Sequence, residues 1–91
     1  MEGRKLFLTK AHIGIYTDRE NQFISSLIIS AEEEIADLGI VLKKTYSDDN
    51  LVAMYAAWMY RSRKSGEDKP KSLKYSLNTR LLKEKAGSTY V

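Results

Sequence analysis

The sequence predicts an all-α domain, a small bundle of three main helices plus a short N-terminal helical turn. Two segments carry apolar residues at three- and four-residue spacing, the period that places them on one face of a helix. Between these segments, Leu51 to Tyr60 is entirely apolar or aromatic. A capping residue or a proline precedes each segment and a glycine follows it, as at helix ends. The sequence therefore predicts three successive helices, of which the middle one is the most apolar.

The composition fits one small globular domain. The chain has 91 residues, of which 43% are hydrophobic and 30% are charged, a balance that is not typical of disorder. It contains no cysteine, which excludes disulfides, thiol catalysis and cysteine-based zinc sites. We see neither a leader pattern nor 18 consecutive apolar residues, so we expect neither a signal peptide nor a membrane span.

The ends of the chain are expected to lie outside the helical domain. We expect residues 1–8 to form an N-terminal arm, residues 9–87 the domain, and residues 88–91 a C-terminal tail. Thr9 to His12 is predicted as the short helical turn, with Thr9 as its cap. Gly14 is expected to keep the following residues extended.

The first main helix is predicted from Thr17 or Asp18 to Leu38. The stretch from Thr17 to Glu20 fits a capping box, and Gly39 suits a left-handed cap at the other end. Ile29 breaks the pattern because it lies among polar positions; a single exposed isoleucine is common, but a partner surface would also use one. The predicted apolar face consists of Ile24, Leu27, Ile28, Ala31, Ile35 and Leu38.

The second and third helices follow directly. Ser47 is the predicted N-cap of the second, which runs to about Lys64 and ends at Gly66. Pro70 suits the first turn of the third helix, which Gly87 is expected to close. The buried face of the third helix is predicted to carry Leu73, Leu77 and Leu81.

The central helix raises the question of what covers it. A helix that is apolar on every side must be buried on every side, and two neighbouring helices cannot cover it completely. Either the chain wraps this helix with its own N-terminal segment, or another copy covers the remaining side. Trp58 is expected to behave as a large core aromatic whose truncation unfolds the domain. The candidate subunit-interface residues are Ile29, Val52, Ala53, Ala56, Ala57, Met59 and Tyr60.

Charge is distributed unevenly along the chain. Residues 1–60 carry six Lys/Arg and nine Asp/Glu, whereas residues 61–91 carry nine and three. This polarity suits head-to-tail contact between copies or a basic face near nucleic acid, although a solvated lysine-rich helix explains it as well. The candidate basic face consists of Lys69, Lys71, Lys74, Arg80, Lys83 and Lys85.

The sequence offers little that would support catalysis. His12 is the only histidine, and a lone histidine near a helix end is usually a surface or capping residue. The side chains of the acidic run Glu32 to Glu34 point in different directions on a helix, which indicates a solvated face. No phosphate loop, metalloprotease, calcium-loop or hydrolase motif occurs. We therefore expect no enzyme activity, no cofactor, no metal and no small-molecule substrate.

One stretch is similar to a known family. The similarity lies in three successive segments: the aromatic run Leu51 to Arg61, then Ser65-Gly66-Glu67 and Pro70, and finally Leu73-Lys74-Tyr75-Ser76-Leu77-Asn78-Thr79-Arg80-Leu81. Together these segments resemble the small head–tail connector proteins of tailed bacteriophages, which are also labelled DNA-packaging or head-completion proteins. The upstream layout is similar as well, so that the resemblance covers roughly residues 8–86. The ends of the chain do not map onto the family.

The resemblance implies a mainly helical structural adaptor. Such proteins form a homo-oligomeric ring, twelve-fold by expectation, below the portal protein, where they extend the DNA channel and dock the next tail-joining (stopper) protein. The implied location is the head–tail junction of the virion, after assembly in the bacterial host cytoplasm. Few basic residues are expected along a channel through which DNA slides. The alternative is a small basic DNA-associated accessory packaging protein, which would bind phosphates without reading sequence.

Overall fold

Four α-helices make up the part of the chain that is described. The computed structural model describes residues 3–89, and side chains over residues 3–86. No strand occurs between residues 3 and 89, which confirms the all-α class. Within the same range, no helix has the length and apolar character needed to cross a membrane. The helices are α1 (Arg4–Ile13), α2 (Asn21–Asp37), α3 (Tyr46–Ser65) and α4 (Lys71–Thr89).

Helix α3 lies at the centre of the bundle. Helices α1, α2 and α4 each pack against it, so its own chain covers the apolar helix. The first of the two alternatives for α3, coverage by the N-terminal segment, is therefore the one observed, and a second copy is not needed to bury it. The core residues are Ile24, Ile28, Ala31, Ile35, Ile40, Leu51, Val52, Tyr55, Ala56, Leu73 and Leu77.

The N-terminal segment is a full helix, so the predicted arm over residues 1–8 is wrong from Arg4 onward. Helix α1 begins after Gly3 and is capped at its C-terminal end by Gly14, whose φ of 91° is the left-handed conformation that glycine tolerates. Thr9 lies in the middle of α1, completely buried, and its hydroxyl donates to the Lys5 carbonyl at 2.7 Å. Residues 1 and 2 of the predicted arm lie outside the described residues.

Helix α2 begins later than predicted, at Asn21. The predicted capping box does not form: Glu20 is itself the N-cap, without a side-chain cap bond, and its carboxylate accepts from the Tyr60 hydroxyl at 2.7 Å. The Asp18 carboxylate accepts from Lys10 Nζ at 3.1 Å and from Asn21 Nδ2 at 3.3 Å. These bonds tie the α1–α2 connection to α1. The other end is as predicted: Gly39 has a φ of 104°, and Ile40 then turns into the core with 2% exposure.

Helix α3 begins at Tyr46, and its N-cap is Thr45 rather than Ser47. The Asp48 amide donates to Thr45 Oγ1 at 3.2 Å, which satisfies one of the free amides of the first turn. At the other end Gly66 has a φ of 68° and its amide donates to the Ser62 carbonyl at 2.8 Å, the predicted left-handed cap.

Helix α4 extends beyond its predicted end. The Lys74 amide donates to the Pro70 carbonyl at 3.0 Å, so the helical hydrogen bonds start from Pro70 as expected. The helix then passes through Gly87 to Thr89, so residues 88 and 89 of the predicted tail are helical. Residues 90 and 91 lie outside the described residues.

Candidate functional site

Four of the candidate interface residues belong to the core of the chain itself. Val52, Ala53, Ala56 and Ala57 are at most 2% exposed. Their small side chains let the neighbouring helices of the same chain approach α3 closely. They therefore do not form a surface for a second copy, contrary to the interface prediction.

Met59 and Tyr60 are half-buried and pack against the core, and Tyr60 also joins α3 to the start of α2. The Tyr60 hydroxyl donates to Glu20 Oε2 at 2.7 Å, and this bond raises the pKa of the tyrosine above its usual value. The Arg63 guanidinium lies 4.4 Å from the Tyr60 ring centroid and 5.0 Å from that of Phe23. Tyr60 thus already has partners within the chain, and only part of its side chain reaches solvent.

Ile29 is the candidate interface residue that lies at the surface, with 58% exposure. It lies on the side of α2 that faces away from α3. Because residues three or four apart in a helix are neighbours, Ile29 is surrounded there by exposed polar and acidic residues. We call this surface the outer α2 face, and it consists of Gln22, Ser26, Ile29, Glu33 and Asp37.

Two residues of the candidate basic face hold the connection between α3 and α4. The Lys69 ammonium lies 4.8 Å from the Trp58 ring centroid and 5.4 Å from that of Tyr55, within the range of cation–π attraction. Lys74 Nζ donates to Asp68 Oδ2 at 2.8 Å, which keeps the pKa of Asp68 below its usual value. These two cations are occupied by local structure.

Trp58 takes part in the same connection and lies at the edge of the core. Its indole Nε1 donates to the Glu67 carbonyl at 3.0 Å, and its ring meets that of Tyr55 edge-on at 5.5 Å. Because Trp58 is only half-buried, the cost expected for truncating a fully buried aromatic does not apply to it.

Arg80 forms a largely buried ion pair that fixes α4 to the start of α3. Its Nε and one Nη lie 3.2 and 3.1 Å from the two oxygens of Asp48, a two-point contact. The guanidinium also donates to the Val41 carbonyl at 2.7 Å and to the Glu84 carboxylate. The Lys43 amide donates to Asp48 at 2.7 Å. Both side chains are mostly hidden, with 17% of Arg80 and 8% of Asp48 exposed.

The environment of Asp48 keeps it ionised. Burial raises the pKa of its carboxyl group, but the hydrogen bonds from Arg80 and the Lys43 amide outweigh burial, so the net pKa lies below its usual value. This pair was not predicted from the sequence, where Arg80 was expected on the basic face. A signal was present, since Arg80 follows Leu77 by three positions and Leu73 by seven, which turns it towards the buried side of α4.

The remaining candidate basic residues lie on the exposed side of α4. Tyr75 and Leu82 are 73% and 67% exposed and, seven residues apart, share one side of the helix. We call this surface the outer α4 face, and it consists of Lys71, Tyr75, Asn78 and Leu82, flanked by Lys74, Lys83 and Lys85.

The one histidine has a local partner. His12 Nε2 lies 3.0 Å from Asn50 Oδ1, and the His12 carbonyl accepts from Arg61 at 3.1 Å. Both contacts join the end of α1 to α3. Between residues 3 and 86 no group of three or more metal-ligating side chains comes together.

Comparison with known proteins adds no relative to this picture. No protein-family model, no curated protein and no solved structure matches the chain. The outer α2 face, the outer α4 face and the sequence resemblance are therefore the features from which a function is proposed.

Proposed function

We propose that this chain is a structural head–tail connector, or adaptor, of a tailed phage or prophage. Copies of the chain form a ring below the portal, extend the DNA channel and dock the next tail-joining protein. The observation that carries the proposal is the exposure of Ile29, Tyr75 and Leu82, at 58%, 73% and 67%, on helices whose inner sides are already packed. Single exposed apolar residues are common, but these three lie in faces that are also strongly charged, as in surfaces that meet another protein.

The motif that carries the resemblance divides into buried and exposed members. Leu73 and Leu77 are 1% and 5% exposed, and Arg80 is held by Asp48. These residues maintain the fold. Tyr75 and Asn78 point to solvent and contribute nothing to the core, which leaves them available for contact with another molecule.

The attachment of α4 also suits an adaptor. Because Arg80 joins Asp48, Val41 and Glu84 at once, α4 is fixed relative to α3 along with the residues on its outer side. A preorganised surface loses less entropy on binding than a mobile one. Subunits of a ring need such a fixed angle between their contact surfaces, because the angle decides whether the ring closes.

The alternative, a basic DNA-associated packaging accessory, has weaker support from the same residues. Lys69 lies over Trp58, Lys74 pairs with Asp68, and Arg80 is mostly buried. Salt-sensitive DNA binding requires cations that can neutralise phosphates. These three cations are engaged by groups of the same chain, which favours the adaptor at the head–tail junction over the DNA-associated accessory.

The proposal is tested by adding the purified chain to the portal protein encoded nearest to its gene. We expect multi-angle light scattering to show portal particles that gain the mass of a ring of this chain. A chain that leaves the portal mass unchanged and instead shifts duplex DNA at physiological salt would contradict the adaptor and support the accessory role. The neighbouring genes give an independent check, since an adaptor gene is expected close to portal and capsid genes.

A further inference from the structure

We propose that the outer α4 face of one copy binds the outer α2 face of the next copy, so that subunits associate head to tail. The inference rests on the proposed function, because it names the surfaces through which the ring assembles. It differs from the interface predicted from the sequence, most of which lies in the core.

The outer α4 face combines apolar and basic groups. Tyr75 and Leu82 lie about 10 Å apart along the helix, from the rise of 1.5 Å per residue. Lys71 and Lys83 flank them, and neither lysine has an ion-pair partner among the described residues. A tyrosine and a leucine bordered by lysines form a small apolar centre with a positive rim.

The outer α2 face has the opposite charge. Ile29 and Glu33 are one turn apart, and Asp37 follows one turn later. Glu33 and Asp37 form no ion pair within residues 3–86. The face is therefore a row of one apolar and two acidic side chains about 12 Å long, which matches the apolar centre and positive rim of the outer α4 face.

These two faces cannot meet within one chain. Helices α2 and α4 both pack on α3, and their backbones do not approach each other closely in the described range. The residues of both outer faces are exposed to solvent. We therefore expect the opposite charges of the two faces to pair between copies. A contact between two different faces is heterologous, so it repeats from copy to copy and gives a ring where the rotation closes.

A single contact of this kind is weak. A specific protein interface buries about 800 Å² per partner, more than one helix side with one or two large apolar residues supplies. Closing a ring gives every subunit two contacts instead of one. We therefore expect the free chain to be largely monomeric when dilute and to assemble at high concentration or on a template.

Cysteine cross-linking tests the pairing directly, because the chain has no cysteine of its own. The double variant Ile29→Cys/Leu82→Cys, treated with a short bismaleimide at high protein concentration, should give a ladder of dimers, trimers and larger species. Each single variant should stay monomeric. The control pair Ala11→Cys/Leu82→Cys places one cysteine at an exposed position of α1 and should give no ladder.

Charge reversal supplies a second readout in the double-cysteine chain. Glu33→Lys alone or Lys71→Glu alone should weaken the ladder several-fold, and the two substitutions together should restore it. The control Lys44→Glu, at an exposed position of the α2–α3 connection, should leave the ladder unchanged. The ladder should also fade as salt rises.

Three results would overturn the pairing. The first is strong dimer formation by a single-cysteine variant, which indicates a symmetric contact instead. The second is a ladder no stronger than that of the control pair, and the third is a ladder unaffected by both charge reversals. Failure of the pairing while portal particles still gain mass would reject these faces and leave the adaptor role intact. A charge-sensitive ladder without portal binding would uphold the faces and reject the adaptor role.

Discussion

Replacing Arg80 by methionine tests whether the ion pair with Asp48 holds α4 in place. The substitution keeps most of the aliphatic stem but removes the bonds to Asp48, Val41 and Glu84. Removing one partner of a buried pair costs about 3–5 kcal/mol, because the other charge stays buried. We expect the lower end, about 3 kcal/mol, since the Lys43 amide still holds Asp48 and 17% of the Arg80 side chain already reaches solvent.

Thermal and urea unfolding followed by circular dichroism measure this change. A loss of about 3 kcal/mol lowers the Tm of a domain of this size by roughly 12–24 °C. The matched control is Lys74→Met in the same helix. It removes the exposed ion pair with Asp68 and should leave the Tm unchanged. The double variant Asp48→Asn/Arg80→Met should regain part of the lost stability, because it no longer leaves a buried charge unpaired.

Two results would refute this account of the pair. Equal Tm changes for Arg80→Met and Lys74→Met would mean that burial of the pair contributes nothing. Additive effects of Asp48→Asn and Arg80→Met would mean that the two side chains are not coupled.

Four further predictions address the core and the surface. Because the pKa of Asp48 is lowered in the folded state, its contribution to the free energy of unfolding is present above about pH 4 and is lost as the pH falls through the lowered pKa. The Tm of Asp48→Asn should therefore fall less steeply in acid than the Tm of the unsubstituted chain. Tyr55→Phe should lower the free energy of unfolding, measured in urea, by about 0.5–1.5 kcal/mol. The substitution removes the bond from the hydroxyl to Glu34 at 2.8 Å, and water then solvates the exposed Glu34 carboxylate; a loss as large as that of Arg80→Met would contradict this prediction. Trp58→Ala should cost about 1–3 kcal/mol and leave the domain folded, as for a half-buried aromatic; an unfolded variant would restore the core assignment. Ile29→Glu should keep the Tm and reduce assembly at high concentration, and unchanged light scattering would remove this residue from the contact.

The helices whose apolar residues repeat regularly were predictable from the sequence. Ile24, Ile28 and Ile35 identified the buried side of α2, and Leu73 and Leu77 identified that of α4. This is possible because the spacing of apolar residues on one side of a helix follows from the local helix geometry.

Helix α1 was not predictable in the same way. A helix of ten residues is barely stable by itself and carries no clear apolar period. It forms here because Leu8 and Thr9 are buried in the bundle and Lys10 reaches Asp18. Such tertiary contacts leave little trace in the local sequence, which is why residues 1–8 read as an arm.

The candidate interface failed for a related reason. The pattern of α3 showed that its residues are buried but did not show by what, so Ala53 and Ala56 suited a second copy and the same chain equally well. The leucine spacing of α4 indicates that Arg80 faces inward, but its partner Asp48 lies 32 positions away, and no local pattern identifies a partner at that separation. Ile29 stood out because it interrupts a polar side, and it is the predicted interface residue that is exposed.

The adaptor role itself is tested most directly by counting copies on the portal. Native mass spectrometry of portal rings incubated with excess chain should show one added ring of copies, twelve by expectation, bound together rather than one by one. The Ile29→Glu variant should fold normally and lower this occupancy. Portal rings that retain their own mass at every concentration of the chain would contradict the account.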